Sequence, residues 1–387
     1  MKRISSIDFT RGLVMIIMVL DHVRDLMHVD SITITPTDLS KTSAAVFLTR
    51  LVTHFCAPIF VFLAGTSAYL SLQNVSDKTQ NRAFHLKRGL WLILLEFTVV
   101  NFGVWFDPGF HLYLFQVIAA IGFGFIALSF LSKLSPKVIG GIGLFIIFTH
   151  NLLPLVPIEQ GSILKTILTP LFSTTAIPLT AKTTLVMGYP PIPWIGILLA
   201  GYGFGVLFNR PQTERKNIFL KIGLISVALF FALRFINTYG DPTPWSEQKN
   251  NLFTLLSFIN VTKYPPSLIF CLLTLGVMFL ILALAERIEN HFTNFVSVYG
   301  KTPMFFYLIH WYIVHPLLIV ILFLQDIPWT EMDFASGNFG RPKGVESGLS
   351  LWAVYLVWIT VVGALYFACR AYGQYKASHK NWWLKYI

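Results

Sequence analysis

Ten long apolar segments divide the chain almost from end to end. Each is close to the roughly 20 residues that an α-helix needs to cross the hydrocarbon core of a bilayer. The segments are 11–28, 46–73, 88–106, 110–132, 137–156, 191–209, 217–236, 265–286, 302–324 and 349–371. With 55% apolar and only 12% charged residues, the composition is typical of an integral membrane protein. The pattern predicts an all-α polytopic helical bundle of about ten transmembrane helices, forming a single domain over residues 1–387.

The basic residues predict the orientation of this bundle. With the N-terminus inside, 19 of the 29 lysine and arginine residues fall at the inner ends of the segments or in the inner connections. Cytoplasmic loops are enriched in these residues, so both termini are expected in the cytoplasm. Because the basic residues are spread over short turns, the net charge of +11 indicates no nucleic-acid partner. Membrane lipids are the expected surroundings, and the apolar surface allows a homodimer.

The first segment carries a cluster of ionisable residues at membrane depth. Asp21, Arg24, Asp25 and His28 follow the spacing i, i+3, i+4, i+7 and share one helix face, and His22 lies beside them within i+3 reach of Asp25. Such residues cost ~2.5 kcal/mol or more in a membrane helix and usually function in a polar interior. A carboxylate beside an imidazole favours general-base catalysis. The structural alternative is an ion-paired face that only orients the helix.

Three further histidines lie in apolar segments. His54 precedes Pro58 in the second segment, opposite the charged first helix, and His310 and His315 lie in the ninth. A five-residue separation places His310 and His315 about 140° apart around a helix, which disfavours a two-histidine metal site. With no H-E-x-x-H or comparable ligand pattern in the sequence, no metal is expected.

Several stretches together resemble one family. They are RISSIDFTRGL at 3–13, MVLDHVRD at 18–25, THFCAPIFVFLAGT at 53–66, YPPIPWIG at 189–196, VTKYPPS at 261–267 and YGKTPMFFYLIH at 299–310. The combination resembles bacterial membrane proteins related to heparan-alpha-glucosaminide N-acetyltransferase, within the transmembrane acyltransferase superfamily. The resemblance implies transfer of an acetyl group from cytoplasmic acetyl-CoA to an amine or hydroxyl of a sugar or glycan on the other side of the membrane. The expected location is a bacterial inner membrane.

The resemblance also implies a catalytic histidine near the non-cytoplasmic end, supported by an acid at the start of the next helix. Here the loop between the first two helices is longer, and His54 stands where that acid aligns. His22 and His28 are therefore both candidates for the base. Asp25 is expected to orient the base and His54 to act as the partner from the second helix. Arg24, Arg50 or another histidine is expected to stabilise the oxyanion.

The expected cofactor and acceptor contacts lie at opposite ends of the bundle. The phosphates of acetyl-CoA are expected on the basic side, near Arg11, Arg88 and Lys301, with Asp8 as a helix cap or an ion-pair partner of Arg11.

Three residues nearer the outer side are expected to contact the acceptor. These residues are Asp21, Arg50 and His310.

Two other classes of function fit part of the sequence. Proton- or solute-coupled transporters also line a midplane cavity with Asp, His and Arg, and use helices interrupted by proline. The chain lacks two halves with matching broken segments, and the family resemblance favours acyl transfer. A membrane scaffold would explain the apolar segments but leaves the charged face of the first helix without a role.

Overall fold

The computed structural model describes residues 4–73 and 78–385, so Arg3, the first residue of the first matching stretch, lies outside the described residues. The α-helices of the described residues are α1 (Ser5–Met27), α2 (Ala44–Thr53), α3 (Cys56–Leu72), α4 (Lys78–Leu95), α5 (Asn101–Trp105), α6 (Val117–Leu131), α7 (Pro136–Thr149), α8 (Ile163–Phe172), α9 (Pro191–Phe204), α10 (Gln212–Ile236), α11 (Asn251–Ile259), α12 (Leu268–Ala285), α13 (His291–Gly300), α14 (Pro303–Leu324) and α15 (Leu351–Ser378). A π-helical turn, Glu96–Val100, joins α4 to α5, and a 3₁₀ turn, His150–Leu155, follows α7.

The predicted all-α polytopic membrane protein is confirmed. In the described ranges, eight helical stretches are long and apolar enough to cross a membrane. The other two predicted spans contain α1, which carries the charged cluster, and α6, whose 15 residues extend about 22 Å at 1.5 Å per residue. We call the end of the bundle where α1 finishes the outer end, after the predicted orientation, and the opposite end the inner end.

The prediction of a membrane helix from residue 110 is wrong for 110–116. Leu112–Phe115 form strand β1, which pairs in parallel with β3 (Thr184–Met187), and β3 pairs antiparallel with β2 (Thr175–Pro178). Asn101 fixes β1, because its amide donates to the Leu112 carbonyl at 2.9 Å and its side-chain oxygen accepts from the Leu114 N–H at 3.0 Å. These bonds occupy backbone groups that a helix would need.

Most helix starts follow from local sequence signals. Proline occupies the first turn of α7, α9 and α14, where its missing N–H has no helical partner to lose. Side chains of Ser or Asn accept a hydrogen bond from the first turn of six helices. These caps are Ser43, Ser135, Ser162, Asn250, Ser267 and Asn290.

Close backbone contact fixes α1 against α13. A Cβ atom added to Gly12 would lie 2.0 Å from the Val296 carbonyl oxygen, and one added to Gly300 would lie 1.8 Å from the Asp8 carbonyl oxygen. Only glycine allows two helix backbones to approach so closely. Helix α1 is therefore held rigidly within the bundle, and its charged outer half has a fixed position.

Candidate active site

A cavity of about 550 Å³ lies at the outer end of the bundle. The three-stranded sheet forms one wall of this outer cavity through Leu114, Thr175 and Val186. Its charged, amide and tyrosine side chains come from five parts of the chain that are distant in sequence. They are Asp21, His22, Asp25, Arg50, Gln116, Tyr189 and Tyr264, and Thr174 and Thr175 also line the cavity. Four predicted site residues, Asp21, His22, Asp25 and Arg50, thus lie on one cavity.

Asp21 is the centre of an ion-pair network in the floor of the outer cavity. Its carboxylate accepts hydrogen bonds from Arg24, from Arg50 Nη1 at 3.0 Å and from the Thr53 hydroxyl at 2.6 Å. Arg24, only 1% exposed, also donates to Asp25 at 2.7 Å. The negative charges of two carboxylates therefore balance the positive charges of two guanidinium groups. Arg50 is held in place by the Asp21 carboxylate, both oxygens of which accept hydrogen bonds.

Two hydrogen bonds of His310, one of them to His22, set the tautomer of His22. His310, 0% exposed, has its Nδ1 at 3.3 Å from the Phe306 carbonyl oxygen, and its Nε2 lies 2.6 Å from His22 Nδ1. A carbonyl only accepts, so Nδ1 of His310 carries the proton and its Nε2 accepts from His22. In its neutral form, His22 then has a lone pair on Nε2. The His22 ring also stacks on Trp311, with ring centroids 4.1 Å apart.

The other two candidate histidines do not line the outer cavity. Helix α1 ends at Met27, and His28 has an extended backbone (φ −68°, ψ 137°). Its side chain faces a smaller cavity of about 110 Å³ that Arg24 also lines. His54, 4% exposed, donates from Nδ1 to the Arg50 carbonyl at 2.6 Å. His54 therefore supports the last turn of α2, which carries Arg50. Asp25 bonds to Arg24, and His310 is the hydrogen-bond partner of His22.

Two tyrosines on the outer cavity had no predicted role. The hydroxyls of Tyr189 and Tyr264 lie 3.3 Å apart, and the Arg50 guanidinium lies 5.9 Å from the Tyr264 ring centroid. Burial and the neighbouring Tyr264 raise the pKa of Tyr189 well above its usual value. Burial also opposes ionisation of Tyr264, but the cations Lys263 and Arg50 outweigh it and lower its pKa. Both tyrosines begin a Tyr-Pro-Pro sequence, and this repeat was the available signal.

A second cavity, of about 230 Å³, lies toward the inner end. Arg11 and Arg88 line it together with apolar side chains from α3, α4 and α6. Arg11 donates to the Leu63 carbonyl at 3.2 Å and to the Ser67 hydroxyl, and the Arg88 guanidinium lies 5.2 Å from the Phe125 ring centroid. This inner cavity thus combines two fixed cations with an apolar wall.

The remaining two candidate cofactor residues do not line the inner cavity. Lys301 faces a separate groove of about 590 Å³, which it shares with Arg370 and Lys376. Asp8 is buried in the first turn of α1, where a carboxylate is favourable near the positive end of the helix dipole. The structure therefore brings Arg11 and Arg88 together, with Lys301 beside the start of α14.

The inner and outer cavities approach each other within the bundle. Gln116 lines the outer cavity and the next residue, Val117, lines the inner one. On α14, Tyr307 lines the inner cavity and Trp311, one turn later, lines the outer one. The two cavities are therefore separated by about one helical turn, or roughly 6 Å.

Unpartnered polar atoms cluster at this junction. Gln116 Nε2 and Glu96 Oε1 are buried without a hydrogen-bond partner in the described part of the chain, while the buried Tyr307 hydroxyl and Trp311 lie within hydrogen-bonding reach of each other. Each unpartnered atom costs ~1–3 kcal/mol, so two at one junction indicate a polar ligand that supplies the missing partners. Over the same described ranges, no group of three or more His, Cys, Asp or Glu side chains is placed to hold a metal ion.

One family model covers most of the residues that line the inner and outer cavities. Residues 3–235 match the family model described as "Heparan-alpha-glucosaminide N-acetyltransferase, catalytic". The match covers more than half of the chain, including α1 to α9 and both Arg11 and Arg88, while Tyr264 and α14 lie beyond it. A comparison with curated proteins gave no match.

Proposed function

Since the chain belongs to the heparan-alpha-glucosaminide N-acetyltransferase catalytic family of membrane acyltransferases, we propose that it transfers an acetyl group across a bacterial inner membrane. The donor is acetyl-CoA on the cytoplasmic side, and the acceptor is an amine or hydroxyl of a sugar on the outer side. The observation that carries this proposal is the near meeting of the two cavities, with unpartnered polar atoms where they approach.

The residues present suit acetyl-CoA as the donor. Arg11 and Arg88 on the inner cavity would hold phosphate oxygens, which guanidinium groups bind strongly. The side-chain N–H group of Gln116 would meet a carbonyl oxygen of the uncharged part of the molecule. When bound, acetyl-CoA supplies an acetyl group activated as a thioester.

The outer cavity offers separate groups to an acceptor sugar. The side chain of Asp25 is 40% exposed, whereas that of Asp21 is 11% exposed and fully engaged. Asp25 would therefore accept a hydrogen bond from a sugar hydroxyl or ammonium group, and Arg50 and Tyr264 would bind further hydroxyls. In this arrangement Arg24 holds Asp25 in place rather than contacting the substrate.

His22 is the proposed general base. Its Nδ1–H is engaged by His310, so Nε2 can take the proton from the nucleophilic nitrogen or oxygen of the acceptor and later return it to the leaving group. General-base catalysis contributes typically ~10²–10⁴-fold. Arg50 and Gln116 are two of the donors on this cavity that would stabilise a developing oxyanion. His28 is the second candidate, separated from the outer cavity by the turn at the end of α1.

Acetyl transfer to glucosamine by the purified protein distinguishes the two histidines. We expect His22→Ala to lower kcat by ~10²–10⁴-fold and His28→Ala to retain most of the activity. Wild-type activity in folded His22→Ala protein would overturn the assignment of the base.

Calorimetry tests the donor site independently of the acceptor. We expect acetyl-CoA to bind the wild type, and Arg11→Ala and Arg88→Ala to weaken binding, with dephospho-CoA as the control for phosphate recognition. Absence of binding by folded wild-type protein would contradict the proposed function.

A further inference from the structure

A second cavity at the outer end shares its walls with the outer cavity. It has a volume of about 620 Å³ and lies between the 3₁₀ turn after α7, helix α8 and the loop after α10. Ser173 lines this side cavity and the next residue, Thr174, lines the outer cavity; Pro265 and Tyr264 are divided in the same way. The two cavities therefore adjoin at both of these places.

The lining of the side cavity is mixed, and its polar members include His150, Asn151, Lys165 and Asp241. His150 is 8% exposed and its Nδ1 lies 2.9 Å from the Ile146 carbonyl oxygen, to which it donates. Its Nε2 is buried and has no hydrogen-bond partner. Lys165 lines the same cavity, and the described residues place no carboxylate within ion-pair distance of it. The cavity thus contains an acceptor at His150, a cation at Lys165 and a carboxylate at Asp241. The Asp241 oxygens already accept hydrogen bonds from backbone N–H groups and hydroxyls of its own neighbourhood.

The rim of the side cavity is apolar and faces outward. Leu155 and Val156 line the cavity and are 76% and 52% exposed. On the adjoining helix α8, Ile163 and Leu164 are 80% and 55% exposed. Leu155 and Val156 end the predicted membrane segment 137–156, so their exposed side chains are expected to contact lipid. The side cavity is therefore expected to open toward lipid on this side.

We propose that the acceptor is a sugar carried on a lipid through a phosphate group. This inference rests on the proposed acetyl transfer. The sugar to be acetylated lies in the outer cavity, the phosphate pairs with Lys165, a hydroxyl donates to His150 Nε2, and the hydrocarbon leaves between Leu155 and Val156. The polar groups of the outer cavity, the Lys165 cation and the apolar rim each match one part of such a molecule.

Three acceptors of increasing size test the inference. They are methyl glucosaminide, glucosamine 1-phosphate and its farnesyl phosphodiester. We expect kcat/KM to rise at least tenfold from the first to the third. Lys165→Gln should lower kcat/KM about tenfold for the two phosphate-bearing acceptors only, and Leu155→Ser should lower it for the farnesyl acceptor only. Lys182→Gln, an exposed lysine in the turn between β2 and β3, is the matched control and should change none of them.

A photoreactive farnesyl phosphodiester of glucosamine gives a readout that does not need turnover. We expect crosslinks in 150–173, reduced in Lys165→Gln protein and unchanged in Lys182→Gln protein. Equal kcat/KM for the three acceptors, or crosslinks elsewhere, would overturn the lipid-linked acceptor and leave acetyl transfer intact. Crosslinks at 150–173 without acetylation of any acceptor would instead contradict the proposed function.

Discussion

The hydrogen bond between His22 and His310 permits a specific test of the proposed base. His310→Phe keeps a ring next to His22, where the two ring centroids are 4.8 Å apart, but removes the acceptor for His22 Nδ1–H. An unpartnered buried donor costs ~1–3 kcal/mol. At 1.36 kcal/mol for each factor of ten, we expect kcat to fall roughly 5- to 150-fold. KM should stay nearly constant, because His310 does not line the outer cavity.

His310→Gln is the matched variant, because its side-chain oxygen can accept the same hydrogen bond. We expect it to keep kcat within about fivefold of wild type. Steady-state acetyl transfer to glucosamine measures both constants, and thermal unfolding shows that each variant is folded. His315→Phe, on the same helix but bonded to the Val104 carbonyl at 2.8 Å, should leave kcat unchanged. Equal kcat values for His310→Phe and His310→Gln would refute the tautomer argument.

Two further predictions concern the framework that positions the site. Gly300→Ala forces a Cβ atom against the Asp8 carbonyl oxygen, so we expect the free energy of unfolding to fall by ~1–3 kcal/mol. A lower midpoint of thermal unfolding would show this loss. Gly363→Ala, with no heavy atom within 4 Å of its added Cβ, should not lower the midpoint. Asn101→Leu removes both bonds to β1 and should speed amide exchange at 112–115 while sparing α9; unchanged exchange there would contradict the role of Asn101.

Eight of the ten membrane segments were predictable because length and apolar character alone select them. The structure of the first residues of the fourth segment, 110–116, was not predictable, because β1 depends on partners that are distant in sequence. Asn101 lies 11 residues from Leu112, and β3 begins only at Thr184. Apolar residues in a short strand resemble the start of a membrane helix when their partners are unknown.

Helical spacing predicted which residues of α1 lie together on the outer cavity, except at the residue where the helix ends. Asp21, Asp25 and His22 reach the outer cavity as the spacing indicates. His28 would follow them only if α1 continued, but the helix ends at Met27. The partner of His22 lies 288 residues away, so its identity depends on packing of α14 against α1 and has no local signal.

The thin separation between the inner and outer cavities has an electrical consequence. Where aqueous or polar cavities enter a membrane protein from both ends, the membrane potential falls mainly across the layer between them. Each unit charge that crosses this layer at 100 mV changes in energy by ~2.3 kcal/mol, or roughly 50-fold in rate. An acetyl group is uncharged and crosses without this effect. A proton that returns from the outer side to a group on the inner side does carry a charge through this layer. The turnover of such an enzyme would therefore depend on membrane voltage.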